Sequence, residues 1–188
     1  MANLVAPFGF SPLHNLEGDC QVFYKDVAAA LGVGDPVIRL TNSSSALGFQ
    51  EIGPAIAGGA VTGVIVAVLP DSTGVRTTKY LASGDSGYVL VNTNPRTLYR
   101  VQDNGGATAI TVAMVGEHID AITTVGPNTS TGRSKMTLDT EAKATDNTWV
   151  IVGLDQQLGN ALGANASWIV RANLHTDTNA SASNVSEI

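Results

Sequence analysis

Short runs of β-branched and aromatic residues, separated by clusters of Gly, Asn, Asp and Ser, recur along the whole chain. Apolar runs of about four to eight residues are typical of strands, and the residues between these runs are those that form turns. The sequence therefore predicts an all-β fold. We expect a β-barrel or β-sandwich core, of jelly-roll or tulip-like topology, with an extended N-terminal arm.

One run, Val64 to Leu69, is apolar on both faces and predicts a central strand. The only predicted helix is short: Asp26 would be its N-cap, and Gly32 would end it after Leu31. The full set of predicted strands is Cys20–Tyr24, Pro36–Leu40, Val61–Leu69, Arg76–Leu81, Gly87–Val91, Thr97–Gln102, Ala109–Val112, His118–Val125, Ser134–Leu138, Trp149–Leu154 and Ser167–Leu174.

The chain is divided into an arm, a body and a tail. Residues 1–16 are interrupted by Pro7 and Pro12, which favours an extended arm. Residues 17–175 form the β-rich body, either as one unit or as two small β-subdomains divided near residues 103–108, and residues 176–188 are a polar tail. The apolar residues of the arm must pack on their own body or on a neighbour: these are Leu4, Val5, Phe8, Phe10 and Leu13.

Charge is scarce, which limits the classes of partner. Charged residues make up 14% of the 188, against about 25% in a typical domain. The net charge of −6 disfavours nucleic acid and anionic membranes as direct partners. The opening residues do not resemble a signal peptide. Cys20 is the only cysteine, so we expect no intramolecular disulfide and a soluble chain made in a reducing compartment. Low charge with a mean hydropathy of +0.14 suits a surface covered by partners.

Two segments resemble catalytic or phosphate-binding motifs. Gly84-Asp-Ser-Gly87 matches the nucleophile segment of chymotrypsin-like serine proteases, but only His14 precedes Ser86 in the order that this family requires, so a tight turn is predicted. The segment 126–134 has five residues between its glycines and then Arg133, whereas a phosphate-binding loop needs four and a lysine. We predict a structural loop there.

The three histidines, His14, His118 and His175, are far apart in sequence and have no metal-ligand spacing. Cys20 is expected to be a small hydrophobic residue at the start of a strand. We therefore expect no catalytic residues, no metal, no cofactor and no enzymatic activity.

Several segments together resemble the decoration, or cement, proteins of tailed-bacteriophage capsids. The resemblance covers most of residues 1–175 and departs from the pattern at residues 42–59 and beyond His175. The segments that carry it are the opening Met1-Ala-Asn-Leu-Val-Ala-Pro-Phe-Gly-Phe-Ser-Pro-Leu-His14, Gly34-Asp-Pro-Val37, Gly63-Val-Ile-Val-Ala67 with Tyr80 and Gly84, Asn128-Thr-Ser-Thr-Gly-Arg-Ser134 with Leu138-Asp139, Trp149 to Leu154, Gly163-Ala-Asn-Ala166, and Asn173 with His175.

The resemblance implies a structural virion protein, made in the bacterial cytoplasm, that binds the outer surface of the expanded capsid. There it would lock neighbouring major capsid subunits against internal DNA pressure, as a homodimer or homotrimer, with the five apolar arm residues as its capsid or subunit contacts. The alternatives are another head or tail protein (a head-fibre base, a head-completion protein or a minor tail protein), a hydrolase that uses Ser86, and a carbohydrate-binding module with an exposed aromatic platform.

Overall fold

The computed structural model describes residues 3–13, 19–70, 79–141 and 148–177. Apart from one 3-10 turn, Val112–Met114, the regular elements of these residues are strands. The strands are β1 (Ser11–Pro12), β2 (Cys20–Lys25), β3 (Pro36–Ser44), β4 (Gln50–Pro54), β5 (Gly63–Val68), β6 (Gly87–Asn92), β7 (Leu98–Gln102), β8 (His118–Ile122), β9 (Thr137–Asp139), β10 (Trp149–Leu154) and β11 (Ser167–Ala172). The predicted all-β class is confirmed.

The first half of the chain forms a closed five-stranded barrel in the order β2-β4-β3-β5-β6. Its longest seam is the antiparallel pairing of β2 with β6, which runs from Cys20–Asn92 to Lys25–Gly87. In β6, the two-residue period of a strand places Val89 and Val91 on the buried side of the sheet. The barrel is filled by Phe23, Leu31, Val37, Ile52, Ile65, Leu81, Val89 and Val91.

The second half forms a six-stranded sheet in the order β1-β7-β11-β10-β8-β9. A parallel bridge between Asp103 and Leu138 brings β9 back to the end of β7, so the sheet curls around its own core. Trp149 and Trp168, each at most 1% exposed, are the largest side chains of that core. Ala55, Val61 and Val64 from the barrel half pack into the same cluster and join the two halves.

The predicted subdomain boundary differs from the position where the chain changes sheet. The chain leaves the barrel after Asn92 and enters the second sheet at Leu98. The stretch 103–106 is instead a turn in the second half, where Asp103 is 1% exposed and accepts four N–H hydrogen bonds. Glycine and asparagine mark this turn in the sequence, but they do not reveal that a buried carboxylate organises it.

The predicted helix over Asp26–Leu31 is wrong. Six residues are too few to offset the cost of helix nucleation without strong packing. The backbone of Leu31 instead pairs with that of Leu81, with both N–H···O distances at 2.8 Å. The predicted strand at residues 109–112 is also wrong, because residues 112–114 form the 3-10 turn. The first half of the predicted strand at 76–81 lies outside the described residues, and of the second half only Leu81 makes a β-bridge, to Leu31. The polar tail beyond Asp177 lies wholly outside them.

The last described residues are tied to the barrel. His175 forms a parallel bridge with Val61, and Asp177 pairs with Arg39 at 2.9 Å. The Arg39 guanidinium also lies 5.8 Å from the ring centroid of Phe23. Within the described part of the chain, no helix has the length and apolar character needed to cross a membrane.

Candidate functional site: the N-terminal arm and its surroundings

The arm enters the core of the second sheet through Phe10. Its ring is 1% exposed and stacks on Trp149 with centroids 4.3 Å apart, while Tyr99 approaches edge-on at 6.4 Å. Ser11 and Pro12 then pair with Arg100 and Tyr99 along the free edge of β7. This part of the arm therefore packs on its own body.

Gly9 allows the arm to turn into the core. Its φ of +70° lies in the left-handed region, which favours glycine. A Cβ at this position would overlap the side chain of Ser134 and lie 2.8 Å from the carbonyl oxygen of Gly34. The close approach places Phe10 so that its N–H donates to the Gly34 carbonyl at 2.9 Å.

The first residues of the arm are held by side-chain amides. The Gln102 amide donates to the carbonyl of Leu4 at 2.8 Å and accepts the N–H of Ala6 at 3.0 Å. The Asn3 amide donates to the carbonyl of Ala161 and accepts its N–H, at 2.8 and 2.9 Å. Two segments that are 158 positions apart in sequence are thus fixed to one another.

The five predicted contact residues occupy three environments. Leu4 and Val5 are 80% and 70% exposed, Phe8 and Leu13 are half-buried, and Phe10 is buried. Leu4 shares a groove of about 220 Å³ with Leu158, which is 107% exposed. Leu162, 53% exposed, lies between two residues that accept hydrogen bonds from Asn3. These four exposed apolar residues, Leu4 and Val5 on the arm and Leu158 and Leu162 on the segment that Asn3 ties to it, are called the arm face.

The arm face is both apolar and free of charge. Residues 3–13 and 156–170 contain no ionisable side chain. A salt bridge joins Arg100 on β7 to Asp155, just beyond the end of β10, with 2.9 Å between Nε and Oδ2. A surface of this kind offers a partner apolar area and neutral amides, but no ionic contact.

Ser86 lies in an exposed turn at one end of the barrel. The turn is held by Lys25, whose buried Nζ donates to the carbonyls of Ala82 and Asp85 at 2.8 and 2.6 Å. Burial lowers the pKa of Lys25, although Asp85 and Asp26 oppose this effect.

Of the histidines in the described residues, His118 is on the second sheet and His175 is buried against Val61. The structure therefore brings neither of them to this turn.

The 126–134 loop uses its own polar groups. The Asn128 side-chain oxygen accepts the N–H groups of Ser130 and Thr131 at 2.9 and 3.1 Å, and the Asn128 carbonyl accepts that of Gly132. The N–H groups that would bind a phosphate are thus already paired. Val33 then joins the loop to the barrel through its N–H and the carbonyl of Gly132.

Asp35 lies below this loop and is 0% exposed. Its Oδ2 accepts the N–H of Gly32 at 2.7 Å. Burial raises the pKa of Asp35 to about 6, although hydrogen bonds from the Ser134 side chain and the Gly32 backbone act in the opposite direction. No group of three or more potential metal ligands is found among the described residues.

No protein-family model matches the chain, and the search of curated proteins finds no match. Among solved structures, the chain is similar to the N base of the head fibre gp8.5 of bacteriophage phi29, with a TM-score of 0.41 and 12% sequence identity, over 81% of this chain and 92% of that chain.

Sequence reasoning found the exposed end of the arm but missed the residues that position it and complete its surface. The sequence does not mark Asn3 and Gln102 as positioning residues, because a single amide side chain belongs to no recognisable motif. Leu158 and Leu162 lie in a segment, 156–170, that lacks charge in the same way as the arm. This shared absence of charge is the one sequence feature that could have linked the two segments.

Proposed function

We propose that the chain is a non-enzymatic structural protein of a tailed-bacteriophage virion. In this proposal it binds the outer surface of the expanded capsid and joins neighbouring major capsid subunits against the pressure of packaged DNA. It needs no cofactor, and it contacts neither nucleic acid nor membrane directly.

The arm face is the observation that carries the proposal. Its four side chains are at least 53% exposed, on a loop and an arm that amide clamps hold in place. Exposed apolar side chains that lie near one another are typical of surfaces that bind a partner. The scarcity of charge and the sequence resemblance to capsid decoration proteins support the same function.

The apolar residues of the arm have different roles in this proposal. Leu4 and Val5 meet a neighbouring subunit of the head, because they are the exposed members of the set. Phe8 and Leu13 are half-buried, and Phe10 fixes the arm to its own core. Many copies, each with modest contacts, would stabilise the shell through multivalency.

Binding to expanded heads that lack the protein tests this function. We expect saturable binding at a fixed ratio to the major capsid subunit, measured by co-sedimentation and quantitative gels. Leu4→Ser is expected to weaken binding. Leu47→Ser is the matched control, because Leu47 is 73% exposed in the β3–β4 hairpin of the barrel. Absence of binding to expanded heads would refute the proposal.

The alternative is another position in the virion: a head-fibre base, a head-completion protein or a minor tail protein. Copy number distinguishes these from a capsid-covering protein. Binding over the whole head surface supports capsid cementing, whereas a few copies at one vertex or on the tail would support the alternative. Imaging of labelled heads gives this answer directly.

A further inference from the structure

The turn at residues 103–106 contains the only Asn-Gly pair of the chain, Asn104 and Gly105. In such a pair the glycine nitrogen can attack Cγ of the asparagine, because glycine has no side chain to hinder the approach. The new N–Cγ bond closes a five-membered succinimide, and the side-chain amide leaves as ammonia with the proton of the attacking nitrogen. Water then opens the ring to aspartate or isoaspartate. This reaction is one reason why asparagine is a thermolabile residue.

The attacking nitrogen is held by a buried carboxylate. The Gly105 N–H donates to Oδ1 of Asp103 at 2.9 Å, and the same carboxylate accepts the N–H groups of Asn165 and Ala166. The nitrogen can attack only after its proton is lost, which breaks this hydrogen bond and places two negative charges beside one another. A like charge at this distance disfavours the ionised form. Asp103 therefore opposes the first step of the reaction.

The carboxamide that would be attacked is held from its other side. The Oδ1 of Asn104 accepts the N–H of Gly106 at 3.0 Å and the hydroxyl of Thr140 at 2.9 Å. Donors aimed at a carbonyl oxygen polarise it and stabilise the oxyanion that forms on attack. Because the carboxamide is already activated, the restraint on the Gly105 nitrogen decides whether the reaction occurs.

The backbone of the turn is fixed by its neighbours. The Asn104 N–H donates to the carbonyl of Leu138 at 3.0 Å. Gly105 has a φ of +65°, and a Cβ at this position would lie 2.6 Å from the side-chain oxygen of Asn165. The nitrogen can move over Cγ only when these contacts open together, which requires local unfolding of the turn.

We propose that Asn104 is a latent deamidation site, which the Asp103 carboxylate keeps closed in the folded chain. Isoaspartate would lengthen the main chain by one carbon and displace the N–H that bonds Leu138, at the point where β9 returns to the end of β7. The second sheet would then open at this bridge. The site is independent of the proposed function.

Incubation of the full-length chain in mildly alkaline buffer, followed by peptide mapping and mass spectrometry, tests this inference. Deamidation adds about 1 Da, and chromatography separates isoaspartate from aspartate. We expect Asn104 to deamidate at least about tenfold more slowly in the folded chain than in the chain unfolded by urea. Asp103→Ala should raise the rate to that of the unfolded chain or above, because it frees the nitrogen beside an activated carboxamide.

Phe10→Ala is the matched control, because it removes a core ring that stacks on Trp149 and leaves the contacts of the turn in place. It should deamidate as slowly as the natural chain. Equal acceleration by Phe10→Ala and Asp103→Ala would overturn the inference, because the reaction would then follow global unfolding. Equal rates in the folded and urea-unfolded natural chain would also overturn it.

Asp103→Asn tests the role of the charge in a chain of nearly the same shape. It keeps a side-chain oxygen that can accept the Gly105 N–H and removes the negative charge. We expect faster deamidation of Asn104 than in the natural chain, with circular dichroism showing that the variant is folded. A folded Asp103→Asn chain that deamidates as slowly as the natural chain would refute the role of the carboxylate.

Discussion

At the residue scale, two buried carboxylates organise loops of this fold. Asp103 accepts N–H groups from Gly105, Asn165, Ala166 and the Trp168 indole at 2.7–3.2 Å. Asp35 accepts one from Gly32, beside the arm and below the 126–134 loop. A buried charge lowers stability unless hydrogen bonds compensate for the loss of water. Asp103, with four such bonds, is therefore expected to stabilise the fold, whereas the ionised form of Asp35 is expected to destabilise it.

Asp103→Ala is expected to lower the free energy of unfolding by about 3 kcal/mol or more, because it leaves two buried and two partly buried donors without their acceptor. Chemical denaturation measures the change. Asp139→Ala is the control, since Asp139 is only partly buried and its carboxylate bonds the exposed Glu141 N–H. Equal losses for the two variants would contradict the role assigned to Asp103.

Asp35 makes stability depend on pH. Its pKa is raised from 3.8 to about 6, so the folded state holds this proton more tightly than the unfolded state. The resulting stabilisation is complete below about pH 4 and is lost as the pH rises through 6. The difference corresponds to about 3 kcal/mol. Asp35→Asn should therefore gain stability relative to the natural protein at pH 7.5 but not at pH 4, as measured by denaturation at both values. A pH-independent difference would contradict this mechanism.

At the element scale, the arm contributes both a short edge strand and one residue of the hydrophobic core. Its β1 segment covers part of the β7 edge, and Phe10 stacks on Trp149 within the second sheet. Sequence could predict an extended apolar arm from Pro7 and Pro12. It could not predict which aromatic ring of the arm would be buried. That depends on the turn at Gly9 and on two strands that lie about 90 and about 140 positions further along the chain.

Phe10→Ala is expected to lower the free energy of unfolding by about 3–5 kcal/mol, because it empties a site between two aromatic rings. Leu4→Ala should change it by less than about 0.5 kcal/mol, because Leu4 is exposed. Thermal and chemical melts of the two variants test the division of the arm. A comparable loss from Leu4→Ala would show that the arm face is part of the core.

At the scale of the whole molecule, the strand and turn chemistry gave the fold class, and most strands of the barrel were predicted near their observed positions. The closed barrel was one of two expected cores. The β2-β4-β3-β5-β6 order was not predictable, because it depends on long-range pairing such as that of Cys20 with Asn92. The short Ala-rich segment at 26–31 misled helix prediction, because pairing with Leu81 replaced local hydrogen bonds.

The arm face was only half predicted for the same reason. The sequence marks Leu4 and Val5 as apolar residues of an arm, but their union with Leu158 and Leu162 needs the Asn3 and Gln102 clamps. Clamps between a side chain and a distant backbone leave no periodic pattern. The structure therefore supplies the surface on which the proposed function depends.

The thermal stability of expanded phage heads, measured with and without saturating protein, tests the cementing role most directly. We predict a higher melting temperature for decorated heads, rising with occupancy and reaching a plateau at the binding ratio. An unchanged melting temperature at full occupancy would contradict a cementing role, and failure to bind would contradict the proposed function itself.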